Sequence, residues 1–145
     1  MARYVTSVSS SLSPDEAFAF MADVRRFTEW DPGVVCAVQV AGTGPGPGAA
    51  YDLTVKAGGT STMRYEVTVY APPRRLFLVA RTARLVSEDE VRVEPGPGGV
   101  GSVVTYDARL TLTGWLRVFD FALAIAFKRL GDRAAAGLRA ALGRR

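Results

Sequence analysis

The stretch GWLRVFDFALAIAFKRLGDRAAAGLRAAL, residues 114–142, contains no proline and repeats its apolar side chains at helical intervals. Leu116, Phe119, Leu123, Phe127, Leu130, Ala134, Leu138 and Ala141 recur every three or four positions, the period of a helix with one buried face. At about 1.5 Å per residue such a helix reaches roughly 40 Å, the width of a small domain. A helix of that length at the end of a chain rich in strand patterns needs those strands to wrap around it.

The preceding chain supplies them. Tyr4 to Ser10 is a first strand. Ser13-Pro14-Asp15-Glu16 combines an N-cap, a proline at the first helical position and a capping-box glutamate. It predicts a short helix through Phe18, Phe20 and Met21 that ends near Asp23. A second short helical piece, Val24 to Trp30, stops at Asp31-Pro32-Gly33. Val34 to Val40 reads as a strand, and Gly42 to Gly48 as a turn. Tyr51, Leu53 and Val55 alternate with Asp52, Thr54 and Lys56, and Gly58-Gly59 marks a hairpin. Met63, Tyr65, Val67 and Val69 then alternate with Arg64, Glu66 and Thr68, up to Pro72-Pro73. Arg75 to Thr82 is a strand, Leu85 to Glu94 a weaker one. From Ser102 to Thr113, Val104, Tyr106, Ala108, Leu110 and Leu112 share a face. Gly96, Gly98 and Gly101 spell GxGxxG, but a strand follows where a dinucleotide fingerprint needs a helix.

Strands joined by short turns are antiparallel, and a sheet with one apolar face needs a cover, which the last helix provides. The fold class is therefore α+β. At 145 residues a single domain over 1–145 is expected.

Composition narrows the chemistry. Histidine and asparagine are absent, which excludes a His-based triad, an imidazole-ligated zinc site and a Cys-His pair. No metal and no cofactor is expected. Cys36 cannot form an internal disulfide, and its apolar neighbours make it a small core residue. The net charge of +4 is almost all arginine and forms no concentrated stripe, so nucleic acid is not an expected partner. The start lacks an apolar signal region and the run Val118 to Phe127 contains Asp120, so neither a signal peptide nor a transmembrane segment is expected and the location is cytoplasmic.

Three stretches carry a family resemblance. Val8-Ser9-Ser10-Ser11-Leu12-Ser13-Pro14-Asp15-Glu16-Ala17-Phe18 is similar to the opening strand and helix of the START-like (Bet v 1-like) helix-grip superfamily, SRPBCC. Asp23 through Trp30-Asp31-Pro32-Gly33-Val34 resembles its second helix, and Gly101-Ser102-Val103-Val104-Thr105-Tyr106 the start of its last strand, with Ser102 where threonine is usual. The nearest branch is the bacterial polyketide cyclase/dehydrase and lipid-transport group. The resemblance implies a curved sheet of about six or seven strands around the long helix, two short helices after strand 1, and a cavity between sheet and helix.

Within that frame, Trp30 fits either the pocket mouth or a structural position under the helix pair. Tyr51, Tyr65 and Tyr106 fall on apolar strand faces, where their hydroxyls would serve a cavity lined by apolar walls. Phe77 and Arg81 share one face of their strand, opposite Leu76, Leu78 and Ala80. Arg81 enters the cavity only if that face is inward; otherwise it is solvated. Phe119, Leu123 and Phe127 bring the helix to the pocket. Arg64, Glu66, Asp107 and Arg109 read as solvent charges. Asp120 sits at the edge of the buried helical arc. Val118, Phe121 and Ile125 lie opposite it and suggest a second covered side, such as a homodimer contact.

Three functions remain. The first is a non-catalytic carrier or sensor of a lipid-like or polyketide-like molecule held by Trp30, Tyr51, Tyr65, Phe77, Arg81, Tyr106, Phe119, Leu123 and Phe127. The second is an aromatase/cyclase using Arg81, Tyr65 and Asp120, with Glu66 as a further candidate. The third is an interaction protein acting through the outer helix face.

Overall fold

A computed structural model describes residues 1–56 and 59–143. Seven strands form one antiparallel sheet: β1 (Ala2–Ser10), β2 (Val34–Ala41), β3 (Ala50–Lys56), β4 (Thr60–Ala71), β5 (Arg75–Arg81), β6 (Leu85–Pro95) and β7 (Ser102–Leu112). Their spatial order is β1-β7-β6-β5-β4-β3-β2, so each hairpin adds the next strand and β1 returns to pair with β7. Irregular register in β2 and β4 interrupts the ladder; such bulges bend a sheet. Among the described residues there are two α-helices, α1 (Pro14–Ala22) and α2 (Asp120–Gly143), besides short 3-10 segments. The fold is the helix-grip α+β architecture.

Local chemistry sets the helix boundaries. Ser13 accepts a hydrogen bond from the Glu16 N–H at 3.2 Å, and Glu16 accepts one from the Ser13 N–H at 3.2 Å, which closes the expected capping box of α1. The segment Val24–Glu29 is a 3-10 turn capped by Asp23, and Phe27 and Trp30 at its end are buried. The hairpin expected at Gly58-Gly59 involves Gly58, which lies outside the described residues.

The last helix departs from expectation in its first third. Gly114–Phe119 is a 3-10 segment, and the α-helix starts only at Asp120. Of the apolar stripe, Ala134, Leu138 and Ala141 are buried, whereas Phe119 is 51 % exposed. α2 packs on the edge strand β1, and its fully buried residues lie only in its C-terminal half, from Ala134 onward. Gly131 and Gly137 permit the close approach. A Cβ at Gly131 would overlap the Tyr4 ring, and one at Gly137 the Trp30 carbonyl oxygen.

Two further expectations are corrected. Cys36 is exposed, because the irregularity between Val34 and Cys36 changes the parity of the edge strand β2. Asp107 is not a solvent charge. It is 1 % exposed on the outer face, where Arg3 reaches it at 2.8 Å and Arg109 at 3.1 Å. Burial pushes its carboxyl up, but the hydrogen bonds from these two arginines outweigh that and hold it below the usual carboxylate range.

Candidate functional site

A partly open cavity of about 160 Å³ lies between the inner face of the sheet, the 3-10 turn and α2. Its walls are mostly apolar: Phe27, Trp30, Val34, Leu53, Val55, Met63, Ala108 and Leu110, closed by Phe127, Leu130, Ala134, Ala135 and Leu138 of α2. Half-buried Phe127 and Leu130 and exposed Lys56 mark the side that reaches solvent.

Strand parity brings a polar cluster into this apolar space. Val91 and Val93 of β6 are buried inward, so Ser87 and Asp89, at even spacing from them, face inward too. The Tyr106 hydroxyl donates to Asp89 Oδ2 at 2.8 Å, and the Tyr65 hydroxyl and Ser87 Oγ share a hydrogen bond of 2.8 Å. Asp31 joins them at the cavity wall, accepting from the Gly33 N–H at 2.9 Å. Burial pushes the Asp89 carboxyl up to about 7; the Tyr106 hydrogen bond opposes the rise and the Asp31 carboxylate adds to it. Burial also raises Asp31, and it raises both tyrosine hydroxyls well beyond their usual range, so these stay protonated. Trp30, 2 % exposed, stands over Tyr106 edge-on at 5.1 Å and against Phe27 at 4.9 Å. Its indole N–H is buried and has no hydrogen-bond partner among the described residues.

Of the nine residues expected to line the pocket, Trp30, Tyr65, Tyr106 and Phe127 do so. The other five lie elsewhere. Tyr51 is fully buried, but in the packed core near Asp23, outside the cavity lining. Leu76, Leu78 and Ala80 are the inward face of β5, so Phe77 and Arg81 point outward, and Arg81 is exposed beside Arg64, Glu66, Thr68 and Val79. Phe119 is exposed and Leu123 half-buried, and neither is part of the cavity lining. Asp120, a candidate acid, is a half-buried partner of the Met1 amino group at 3.1 Å and does not line the cavity. Glu66 is exposed on the outer face. Sequence reading missed Asp89, Asp31 and Tyr4, whose hydroxyl donates to Asp132 of α2 at 2.7 Å. The parity of Asp89 with Val91 and Val93 was the available signal; the Ser-Glu-Asp-Glu run obscured it.

The family model described as "Polyketide cyclase / dehydrase and lipid transport" matches residues 1–143. The chain belongs to this family. Solved structures agree at the level of fold. A START superfamily protein from Mycobacterium smegmatis superposes with a TM-score of 0.74 at 13% identity, covering 98% of this chain and 97% of the other. The protein XoxI from Bacillus cereus gives 0.71 at 18% identity, covering 98% and 96%. The di-domain ARO/CYC BexL from the BE-7585A biosynthetic pathway gives 0.68 at 13% identity, covering 97% of this chain and 49% of that one. No curated protein matches the sequence. This member of the polyketide cyclase / dehydrase and lipid transport family therefore shares its fold with the START/Bet v 1 superfamily. Among the described residues, no helix is long and apolar enough to cross a membrane.

Proposed function

We propose that this protein binds a small, largely apolar molecule in the cavity between the sheet and α2. The observation that carries the reading is the cavity itself: about 160 Å³ of space walled by apolar side chains, with hydroxyls and carboxyls gathered at one place. A cavity of about 150 Å³ holds a benzene ring, so one ring fits inside and the rest of a guest extends through the open side. Burial of apolar area, at about 25 cal/mol per Å², supplies affinity, and the polar cluster supplies orientation. Trp30, Tyr65, Tyr106 and Phe127 are the contacts from the original set; Tyr4, Asp31, Ser87 and Asp89 join them. The test is a titration with N-phenylnaphthylamine, a neutral apolar fluorophore. Ala108→Phe fills the cavity from β7 and abolishes the enhanced emission; equal emission from both proteins refutes the reading.

A second reading, a cyclase-type reaction on a bound keto compound, is favoured by Asp89. Its carboxyl, pushed up to about 7, exchanges a proton near neutral pH beside the Tyr106 hydroxyl. Asp89 would take a proton from the carbon between two carbonyls, and the free Trp30 N–H would donate to the enolate oxygen. Arg81, Asp120 and Glu66 have no part in it, since none lines the cavity. Enzyme-accelerated deuterium exchange of a β-diketone, lost in Asp89→Asn, is the expected result; exchange at the buffer rate refutes it.

A further inference from the structure

The polar end of the cavity is short of positive charge. Asp31 and Asp89 both line it, and the only cation among the described lining residues is Lys56, exposed at the end of β3. Among the described residues neither carboxyl stands in an ion pair: Asp89 accepts from the Tyr106 hydroxyl and has the Asp31 carboxyl near it, and Asp31 accepts from the Gly33 N–H. The arginines that neutralise Asp107 and Glu90 stand on the opposite face of the sheet.

Hydrogen-bond supply is equally lopsided. Asp89 and Asp31 each accept one hydrogen bond among the described residues, from Tyr106 and from the Gly33 N–H. Each carboxylate has room for further donors. The Tyr65–Ser87 bond consumes one of that pair's two hydroxyl protons. The aromatic side chains of Phe27, Trp30 and Tyr106 line the same cavity and pack on one another with ring centroids 4.9 to 6.5 Å apart. Two carboxyls in an apolar cavity walled partly by aromatic rings favour a cationic guest over an anionic one.

We propose that the guest carries a protonated amine on an apolar, ring-sized body, with the ammonium group held at Asp89 and Asp31 against the Trp30 and Tyr106 rings. This rests on the binding reading above and names its ligand class. A carboxylate guest of the same shape, lodged at this end, would bring a third acidic group beside two, with the lining's cation, Lys56, exposed at the end of β3. A neutral alcohol could donate only one hydrogen bond where an ammonium donates three.

The test uses three probes that differ only at the polar end: 2-phenylethylamine, 2-phenylethanol and phenylacetate. Each displaces N-phenylnaphthylamine from the intact protein at pH 8, above the value of about 7 to which the Asp89 carboxyl is raised and with the amine protonated. The expected order is amine first, at least tenfold tighter than the alcohol, with phenylacetate weakest. In Asp89→Asn the amine-to-alcohol ratio falls toward one. Ala108→Phe reports whether displacement comes from the cavity. Equal displacement by all three probes, or phenylacetate binding best, overturns the amine assignment and leaves cavity binding standing. Failure of N-phenylnaphthylamine and all three probes to bind overturns both.

Discussion

Replacing Asp89 with asparagine should stabilise this protein at alkaline pH and leave it nearly unchanged in acid. Asp89 is a carboxyl placed inside an apolar cavity, and burial pushes it from an ordinary 3.8 up to about 7. The folded state therefore keeps a proton that the unfolded chain releases. The neutral form costs the fold nothing below pH 3.8, the penalty grows as pH rises, and it is complete above about 7. The gap between those values, at about 1.4 kcal/mol for each pH unit, sets a ceiling of about 4 kcal/mol. Asparagine keeps an oxygen that accepts from the Tyr106 hydroxyl and cannot ionise. The groups facing Asp89 do not supply a compensating charge: Tyr106 on β7 and Tyr65 on β4 stay protonated, Asp31 adds negative charge, and the cavity-lining residues of α2 carry none. The expected gain for Asp89→Asn at pH 8 is between about 1 and 4 kcal/mol, read as a rise in melting temperature of roughly 2–4 °C per kcal/mol. At pH 4 the two proteins should melt within about 2 °C of each other. Thermal unfolding followed by circular dichroism at both pH values checks this. A variant that is less stable at pH 8, or equally stabilised at both, would refute the argument that burial makes ionisation of Asp89 costly to the fold.

Three other expectations follow from packing. Gly137→Ala gains up to about 1 kcal/mol of helix propensity but forces a methyl against the Trp30 carbonyl; a net loss of about 1–3 kcal/mol in urea unfolding is expected, and a stabilised variant contradicts the close approach. Arg81→Ala should leave N-phenylnaphthylamine binding within twofold of wild type, because Arg81 stands on the outer face; a tenfold loss would put that strand the other way round. We propose further that the 76 to 81 % exposed Val118 and Phe121, with Ile125, form a contact between two copies of the chain. Sedimentation velocity should show a dimer that Phe121→Glu converts to monomer, and a monomeric wild type at tens of micromolar excludes it.

Much of this architecture could be read in the residues because it depends on local rules. The Ser13 capping box, the alternation through Tyr51, Leu53 and Val55, and the shared face of Val104, Tyr106 and Ala108 need only neighbouring positions to interpret. The family-bearing stretches fixed the arrangement of those pieces. What escaped depends on distance. The period of residues 114–142 reveals which helical side is apolar, but not which part of that side faces the cavity, so Phe119 turns out exposed and half-buried Leu123 lies outside the lining. Strand β5 is apolar on both faces, and periodicity alone could not choose between Leu76 and Phe77. Cys36 was misplaced by an edge irregularity that leaves no mark in composition. Asp89 was overlooked because an acidic run usually means solvent, whereas here β7 and β4 supply the hydroxyls that make an inward carboxyl tolerable.

The central claim is that the space between the sheet and α2 is occupied by a guest. Native mass spectrometry of the protein purified from its own host tests it most directly. The account predicts a single added mass, released on denaturation and missing from Ala108→Phe prepared in parallel. Bare chains in both samples, unchanged after exposure to an extract of the host's apolar metabolites, would contradict it.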